Sequence, residues 1–313
     1  MRNLITLATF LLLAAPAQAD VQTFTLFNPT LGETPESIQV DKHGDFVVSL
    51  ALTGELRRIT RDGVHQTIAF LPLAPEVQPC GNAFGVAIMG GVALDPQDNA
   101  YVSVGSCDPA RIGVYRVTPA GVVTQLAALG AASLPNGIAY KAGVLYVADT
   151  NLGRIWRIAA DGATVWADHA LLAPLPDFFP GPNGLQIFHD EVYVAVSDRA
   201  HIVAFPILED GSSGTPRVHA TGVGLDDFAF DVNGDIYGTT DPFNTLVRVS
   251  PGALPVVLLT DADGLDGPTA AVFGRGEGDN QNLYVTNAAF PFFSTTFRPS
   301  ILRVAIGVPG KPR

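Results

Sequence analysis

Six short segments of this 313-residue chain align without gaps, and their first residues are Glu36, Gly90, Asn136, Asn183, Asp226 and Pro268. Four of these six positions carry an oxygen donor, two as carboxylates and two as amides. Carboxylates brought near one another repel, and each is protonated or stressed unless a cation sits between them. Carboxylate and carbonyl donors suit hard Ca2+ or Mg2+, and extracellular sites commonly use Ca2+. The two formal charges balance a divalent ion. Mn2+ and Zn2+ also accept oxygen donors, though Zn2+ is less favoured where no Cys or His joins the set. Asn-Gly and Asp are ordinary turn residues as well. The reading as a shared site rests on all four donors falling at one repeat position, while recognisable turn residues fall elsewhere in each repeat. The metal candidates are therefore Glu36, Asn136, Asn183 and Asp226.

The elements that must position them follow from the repeat. Successive first residues are 54, 46, 47, 43 and 42 positions apart, a period typical of four-stranded propeller blades. Each segment is followed by a turn and a second alternating strand, as in His43-Gly44-Asp45 before Phe46-Val47-Val48, and Asn233-Gly234-Asp235 before Ile236-Tyr237. Gly and Asn tolerate the positive φ that tight hairpins demand. A third strand, with the period of two of a half-buried strand, follows at Gly54–Ile59, Gly113–Val117, Gly153–Ile158, Thr245–Val249 and Ser300–Val304. Val21–Phe27 is a lone alternating strand ahead of the first repeat, and the last repeat ends at Val304–Ile306 with nothing left for an outer strand. The expected fold is an all-β, six-bladed β-propeller closed by the N-terminal strand. In such a ring the first strand of each blade lines the central channel, so the four donors are expected to converge on the axis.

Arg2, the apolar run Leu4–Ala15 and the small-x-small Ala17-Gln18-Ala19 read as a cleavable signal peptide over residues 1–19. That run is shorter than the roughly 20 residues of a spanning helix. The mature chain, residues 20–313, is expected to be one propeller domain, monomeric, periplasmic or secreted, and not inserted in a membrane. Its 30 acidic residues against 18 basic ones, a net charge of −12, make nucleic acid and anionic membrane surfaces poor partners. A small-molecule substrate is the expected partner. The two cysteines, Cys80 and Cys107, are expected to form a disulfide in an oxidising compartment.

The chain resembles the regucalcin and gluconolactonase (senescence marker protein) family, with serum paraoxonase a more distant likeness. The resemblance covers nearly all of residues 20–313 and is carried by Pro35-Glu36, Leu134–Ala139, Leu145–Thr150, Pro182–Leu185 and Asp226-Asp227. It implies a six-bladed propeller that holds a divalent cation through a Glu, an Asn and an Asp at these blade positions, and hydrolysis of lactones or esters. Carried over, Glu36, Asn183 and Asp226 are the implied ligands, with Asn136 a ligand or a substrate contact. Two departures stand out. Gly90 and Gly91 occupy the place where some relatives carry a polar substrate-binding residue, and Asp227 stands where paraoxonase-like members carry Asn. The expected substrate is accordingly a lactone or ester other than a simple sugar lactone.

The expected chemistry is metal-assisted hydrolysis of a cyclic ester, in which Asp226 or Asp227 positions or deprotonates water. Asp149, at the end of a strand, is a candidate to orient a ligand, with turn capping as the alternative. The aromatic runs around Phe178 and Phe179 and around Phe290, Phe292 and Phe293 could wall an apolar substrate pocket, or else pack loops onto the propeller. None of the six histidines pairs with another at metal spacing on one element, and no Gly-x-Ser-x-Gly elbow is present. Two competing classes are a non-catalytic binding propeller with a structural Ca2+, and a strictosidine-synthase-like lyase or synthase that shares the architecture without this donor set.

Overall fold

A computed structural model describes residues 20–80, 85–176 and 180–312. The leader read in residues 1–19 and the pair Phe178-Phe179 lie outside the described residues. Six antiparallel four-stranded sheets follow one another along the chain, forming a six-bladed β-propeller. The inner strands are Pro35–Val40, Ile88–Leu94, Pro135–Lys141, Pro182–Phe188, Phe228–Phe230 and Pro268–Phe273, numbered here as blades 1 to 6. Each packs against the next, and the inner strand of blade 6 packs back against that of blade 1.

Local chemistry sets the hairpins. Asp41, Asp95 and Asp231 each follow an inner strand, and their carboxylates accept the backbone N–H groups two and four residues on. These side-chain turns pin the reversal into the second strand. Gly44 and Gly234 supply the φ of +87° needed there.

Ring closure occurs as expected from the unpaired first strand. Val21–Leu26 runs antiparallel to Ser300–Ala305 as the outermost strand of blade 6. The connector from that strand into blade 1 is anchored by the buried Arg57, whose guanidinium reaches Glu55 Oε1 at 2.9 Å and Glu33 Oε1 at 2.8 Å and lies over the Phe27 ring. A planar guanidinium satisfies two carboxylates at once, which favours Arg over Lys at such a junction.

The core is divided into wedges between blades. Val47 and Leu56 of blade 1 meet Met89 and Val102 of blade 2, and Tyr146 and Ile155 of blade 3 meet Leu185 and Val194 of blade 4. The same arrangement recurs at the other blade junctions, including Val272 and Tyr284 of blade 6 against Ile38 and Phe46 of blade 1. Strand alternation sends successive residues to opposite neighbours, so both faces of each blade are covered. Cys80 and Cys107 form a disulfide with their Cα atoms 4.5 Å apart.

At the axis the inner strands approach too closely for a side chain at certain positions. A Cβ at Gly91, Gly137 or Gly184 would lie 2.8, 2.4 and 2.4 Å from the backbone oxygen of Asn136, Asn183 and Asp226 respectively. Gly137→Ala is expected to lower stability by about 1–3 kcal/mol, as overpacking against a backbone does. The check is a urea midpoint that falls at unchanged slope; an unchanged midpoint would show that the strands can separate there without penalty.

Candidate functional site

The ladder between first and second strand is interrupted at the ring residues of blades 1 to 4, and in blade 6 one residue later, at Thr269. The breaks fall between Pro35 and Ser37, Met89 and Val92, Pro135 and Ile138, Pro182 and Leu185, and Pro268 and Ala270. In blade 5 the inner strand starts at Phe228, immediately past Asp226 and Asp227. Such bulges leave a residue unpaired and re-aim its side chain. The two Asn-Gly pairs thus lie inside strands, not in hairpin turns.

Three of the four expected donors are joined directly. Asn136 Nδ2 donates to Asn183 Oδ1 at 2.6 Å, and the Asn183 side chain hydrogen-bonds to Asp226. The Gly184 N–H donates to the Asp226 carbonyl at 2.7 Å, holding the blade 4 and blade 5 strands in register at the ring. Glu36 is 8 % exposed, and its Oε2 is buried without a hydrogen-bond partner. Gly90 contributes space, since a Cβ there would lie 3.2 Å from Asn136 Oδ1. The expected sixth position, Pro268, is instead paired with Asn287, as Pro35, Pro135 and Pro182 are with their partners, so the residue in the break of blade 6 is the buried Thr269, whose hydroxyl donates to Pro35 O at 3.2 Å.

A further carboxylate joins these residues. Asp241 follows the second strand of blade 5, where the other blades carry Ala51, Ser106, Thr150, Ser197 and Ala288. Its Oδ1 is buried and unpartnered. The ring motif gave no hint of it. Comparing this second column of the repeat would have found it, because Asp241 is the column's one charged member.

Burial and mutual repulsion raise the affinity of these groups for protons. Burial, then the charges of Asp241 and Asp227, push Glu36 up to about 8. Asp226 is pushed well above the usual carboxylate range by burial and by Glu36, Asp241 and Asp227, against a lowering hydrogen bond from Asn183. Burial, followed by the charge of Asp266, brings Asp241 to about 7. Asp227 is raised to about 7 by burial, although the Phe228 N–H, 2.8 Å from Oδ1, Gln186 Nε2, 3.4 Å from it, and the charge of Lys311 oppose the rise.

No three His, Cys, Asp or Glu side chains among the described residues gather as a metal-holding group. A cation here would therefore rest on the two carboxylates Glu36 and Asp226 and on the amide oxygens of Asn183 and Asn136. The donor chemistry fits a hard cation: the buried, unpartnered Glu36 oxygen calls for a positive partner, and Asp241 adds negative charge nearby.

Asp149 is fully buried and accepts from Ser133 Oγ, the N–H groups of Leu134 and Leu152, and Trp156 Nε1. These bonds make it the cap of its turn. Its link to the ring is indirect, through the backbone of Leu134, two residues before Asn136. Phe290 is buried with Ala51, Ile88, Leu134 and Ala288, and Phe292 stacks on it with ring centroids 5.1 Å apart. Beside Asp241 lies a cavity of about 200 Å3, where Phe293 stands among polar groups that include Asn244, Asp261, Asp266 and Thr296. The described part of the expected aromatic wall is therefore mainly loop packing, with Phe293 alone reaching this cavity.

No protein-family model and no curated relative matches the chain. Solved structures do match. A luciferin-regenerating enzyme superposes with a TM-score of 0.68 at 14% identity, covering 93% of this chain and 97% of that one. A gluconolactonase from Xanthomonas campestris gives 0.67 at 15% identity, covering 94% and 91%. A virginiamycin B lyase from Staphylococcus aureus gives 0.57 at 16% identity, covering 86% and 82%. The first two are regucalcin-like six-bladed propellers. At these identities the likeness is one of fold, and at that level it agrees with the resemblance carried by the repeats.

The raised carboxyls fix the sign of a pH effect. In the folded state they keep protons that the unfolded chain releases above its ordinary carboxylate values, so stability falls as pH rises. For Glu36 the window runs from about 4.5 to about 8. Calorimetry of chelator-treated protein is expected to show a melting temperature that declines across this window, with a shallower decline in Glu36→Gln. A flat profile in both proteins would contradict the raised proton affinity that burial and mutual repulsion give these carboxyls.

Proposed function

We propose that this chain is a divalent-metal-dependent hydrolase of lactones or esters, with Ca2+ the favoured ion. The observation that carries the reading is the meeting of a buried Glu36 and a partly buried Asp226 at the axis, with Asp241 close by and a Glu36 oxygen left without a hydrogen-bond partner. The gluconolactonase among the structural neighbours is consistent with a hydrolase on this fold. In this reading Glu36, Asn183 and Asp226 hold the ion, and Asn136 is a ligand or contacts substrate. When bound, a divalent ion supplies polarisation of the ester carbonyl and charge stabilisation of the oxyanion.

The protein's own groups supply the rest. Bulged inner strands aim the donors at one volume, and their burial limits competing water. Asp226 and Asp227 are the candidates to position or deprotonate the attacking water. A carboxyl raised to about 7, like that of Asp227, accepts a proton near neutral pH more readily than an ordinary Asp does. Substrate would enter beside Asp241 and Phe293, where the polar lining suits an ester carrying hydrogen-bonding groups. A periplasmic or secreted location accords with the Cys80–Cys107 disulfide.

Elemental analysis of the purified protein, paired with a panel of aliphatic, aromatic and sugar lactones assayed with and without chelator, tests the reading. Bound divalent metal and chelator-sensitive turnover are expected. Asp226→Asn is expected to lose the metal and to lower turnover by about a hundredfold or more. Full activity of Asp226→Asn without bound metal would refute the mechanism, while bound metal with no turnover on any ester would leave a binding propeller.

A further inference from the structure

The chain contains only three lysines, Lys42, Lys141 and Lys311, and all three line one cavity. This cavity, about 780 Å3, is formed by the later residues of the inner strands of all six blades, beyond the ring donors at their starts. Gln186 on its wall donates to Asp227 Oδ1, so the cavity reaches the underside of the ring. Arg275 adds a fourth cation. The acidic residues of the lining are Asp95 and Asp98, both buried and both engaged. Asp95 accepts from the N–H groups of Gln97 and Asn99, from Asn99 Nδ2 and from Tyr101 OH, while Asp98 pairs with Lys42 at 3.0 Å. Four cations thus share a lining with two committed carboxylates, with Asp190 at the rim beside Lys141 and Asp227 on the ring side beside Lys311, in a chain of net charge −12.

Lys141 and Lys311 are set to meet a ligand. Lys141 donates to the His189 carbonyl at 2.7 Å and pairs with Asp190, whose side chain is 82% exposed, and an ion pair so open to water contributes little and exchanges readily. Lys311 is placed by the carboxy-terminal tail, which straps across blades 5 and 6 through Val232 N–H to Pro309 O, Gly310 N–H to Asn280 O and Lys311 N–H to Phe230 O. Its Nζ donates to Ile187 O at 2.6 Å and stands 5.8 Å from the Phe230 ring centroid. Between the cations the wall offers partly exposed hydrocarbon from Leu94, Tyr140, Ile187 and Phe188.

We propose that this cavity is a second ligand site, distinct from the ring, for a small amphipathic carboxylate. The apolar body would lie against the Leu94, Ile187 and Phe188 surface, and Lys141 and Lys311 would take the carboxylate in charge-assisted hydrogen bonds. The volume is that of an ordinary small-molecule pocket. The two ends of the channel then select opposite charges, and the assignment stands whether or not the ring hydrolyses esters.

The test is calorimetric titration of the full chain with octanoate and with octan-1-ol, alongside displacement of 8-anilinonaphthalene-1-sulfonate. Octanoate is expected to bind at least about tenfold more tightly than the alcohol, with affinity that weakens as salt rises. Lys141→Gln and Lys311→Gln are each expected to lose about tenfold in octanoate affinity, while Lys141→Arg and the ring variant Glu36→Gln retain it. Circular dichroism and thermal melting separate loss of binding from loss of fold, and Lys141→Arg keeps the test decisive should Lys311→Gln loosen the tail. Equal binding of acid and alcohol, no binding of either, or loss in Glu36→Gln without loss in the lysine variants overturns the proposal. So does displacement of the dye by an oligoglutamate peptide but not by octanoate, which would make the rim a surface for a macromolecule.

Discussion

Six strands have to reach one axis, and the steric room there constrains everything built around it. Where neighbouring strands come closest, Gly91, Gly137 and Gly184 omit the Cβ that the next backbone would strike. Close approach in turn disrupts ladder pairing, and the bulges at the ring positions leave side chains that belong to no sheet. Those side chains have only the axis to occupy. Glu36, Asn136, Asn183 and Asp226 are brought there by the same crowding that closes the propeller.

Burying charge at such a place carries an electrostatic cost that the fold must absorb. Carboxylates taken out of water lose hydration, and their mutual repulsion adds to the loss. The hydrocarbon wedges between blades offset this, since each blade is covered on both faces by its neighbours. The resulting channel is polar in the electrical sense. Glu36, Asp226 and Asp241 gather where the inner strands begin, and Lys42, Lys141, Lys311 and Arg275 gather where they end, with Asp227 and Gln186 hydrogen-bonded between. The acidic and basic groups thus lie toward opposite ends of the inner strands.

Much of this was legible in the residue order. The forty-odd-residue period, the alternation within strands and the unpaired Val21–Phe27 segment specified a propeller and its closing strand, because each is a pattern of near neighbours repeated along the chain. The column containing Glu36, Asn136, Asn183 and Asp226 was visible for the same reason. Asp241 was not, since attention to a single column of the repeat hides a charge in another. Asp149 and Phe290 looked equally suited to ligand contact or packing, and only their partners distinguished the roles: four donors around one, and an apolar cluster around the other.

The sequence by itself therefore determined the blades, their number, the closure of the ring and the donors placed at its axis, since these depend on periodicities within and between repeats. Only the tertiary structure decided which side chains meet across blades. Lys42, Lys141 and Lys311 are separated by 99 and then 170 positions and share no motif, yet they line one cavity because the ring brings the ends of distant inner strands and the tail together. Their convergence, like the repulsion between Asp241 and Glu36, arises from distances that no local pattern encodes.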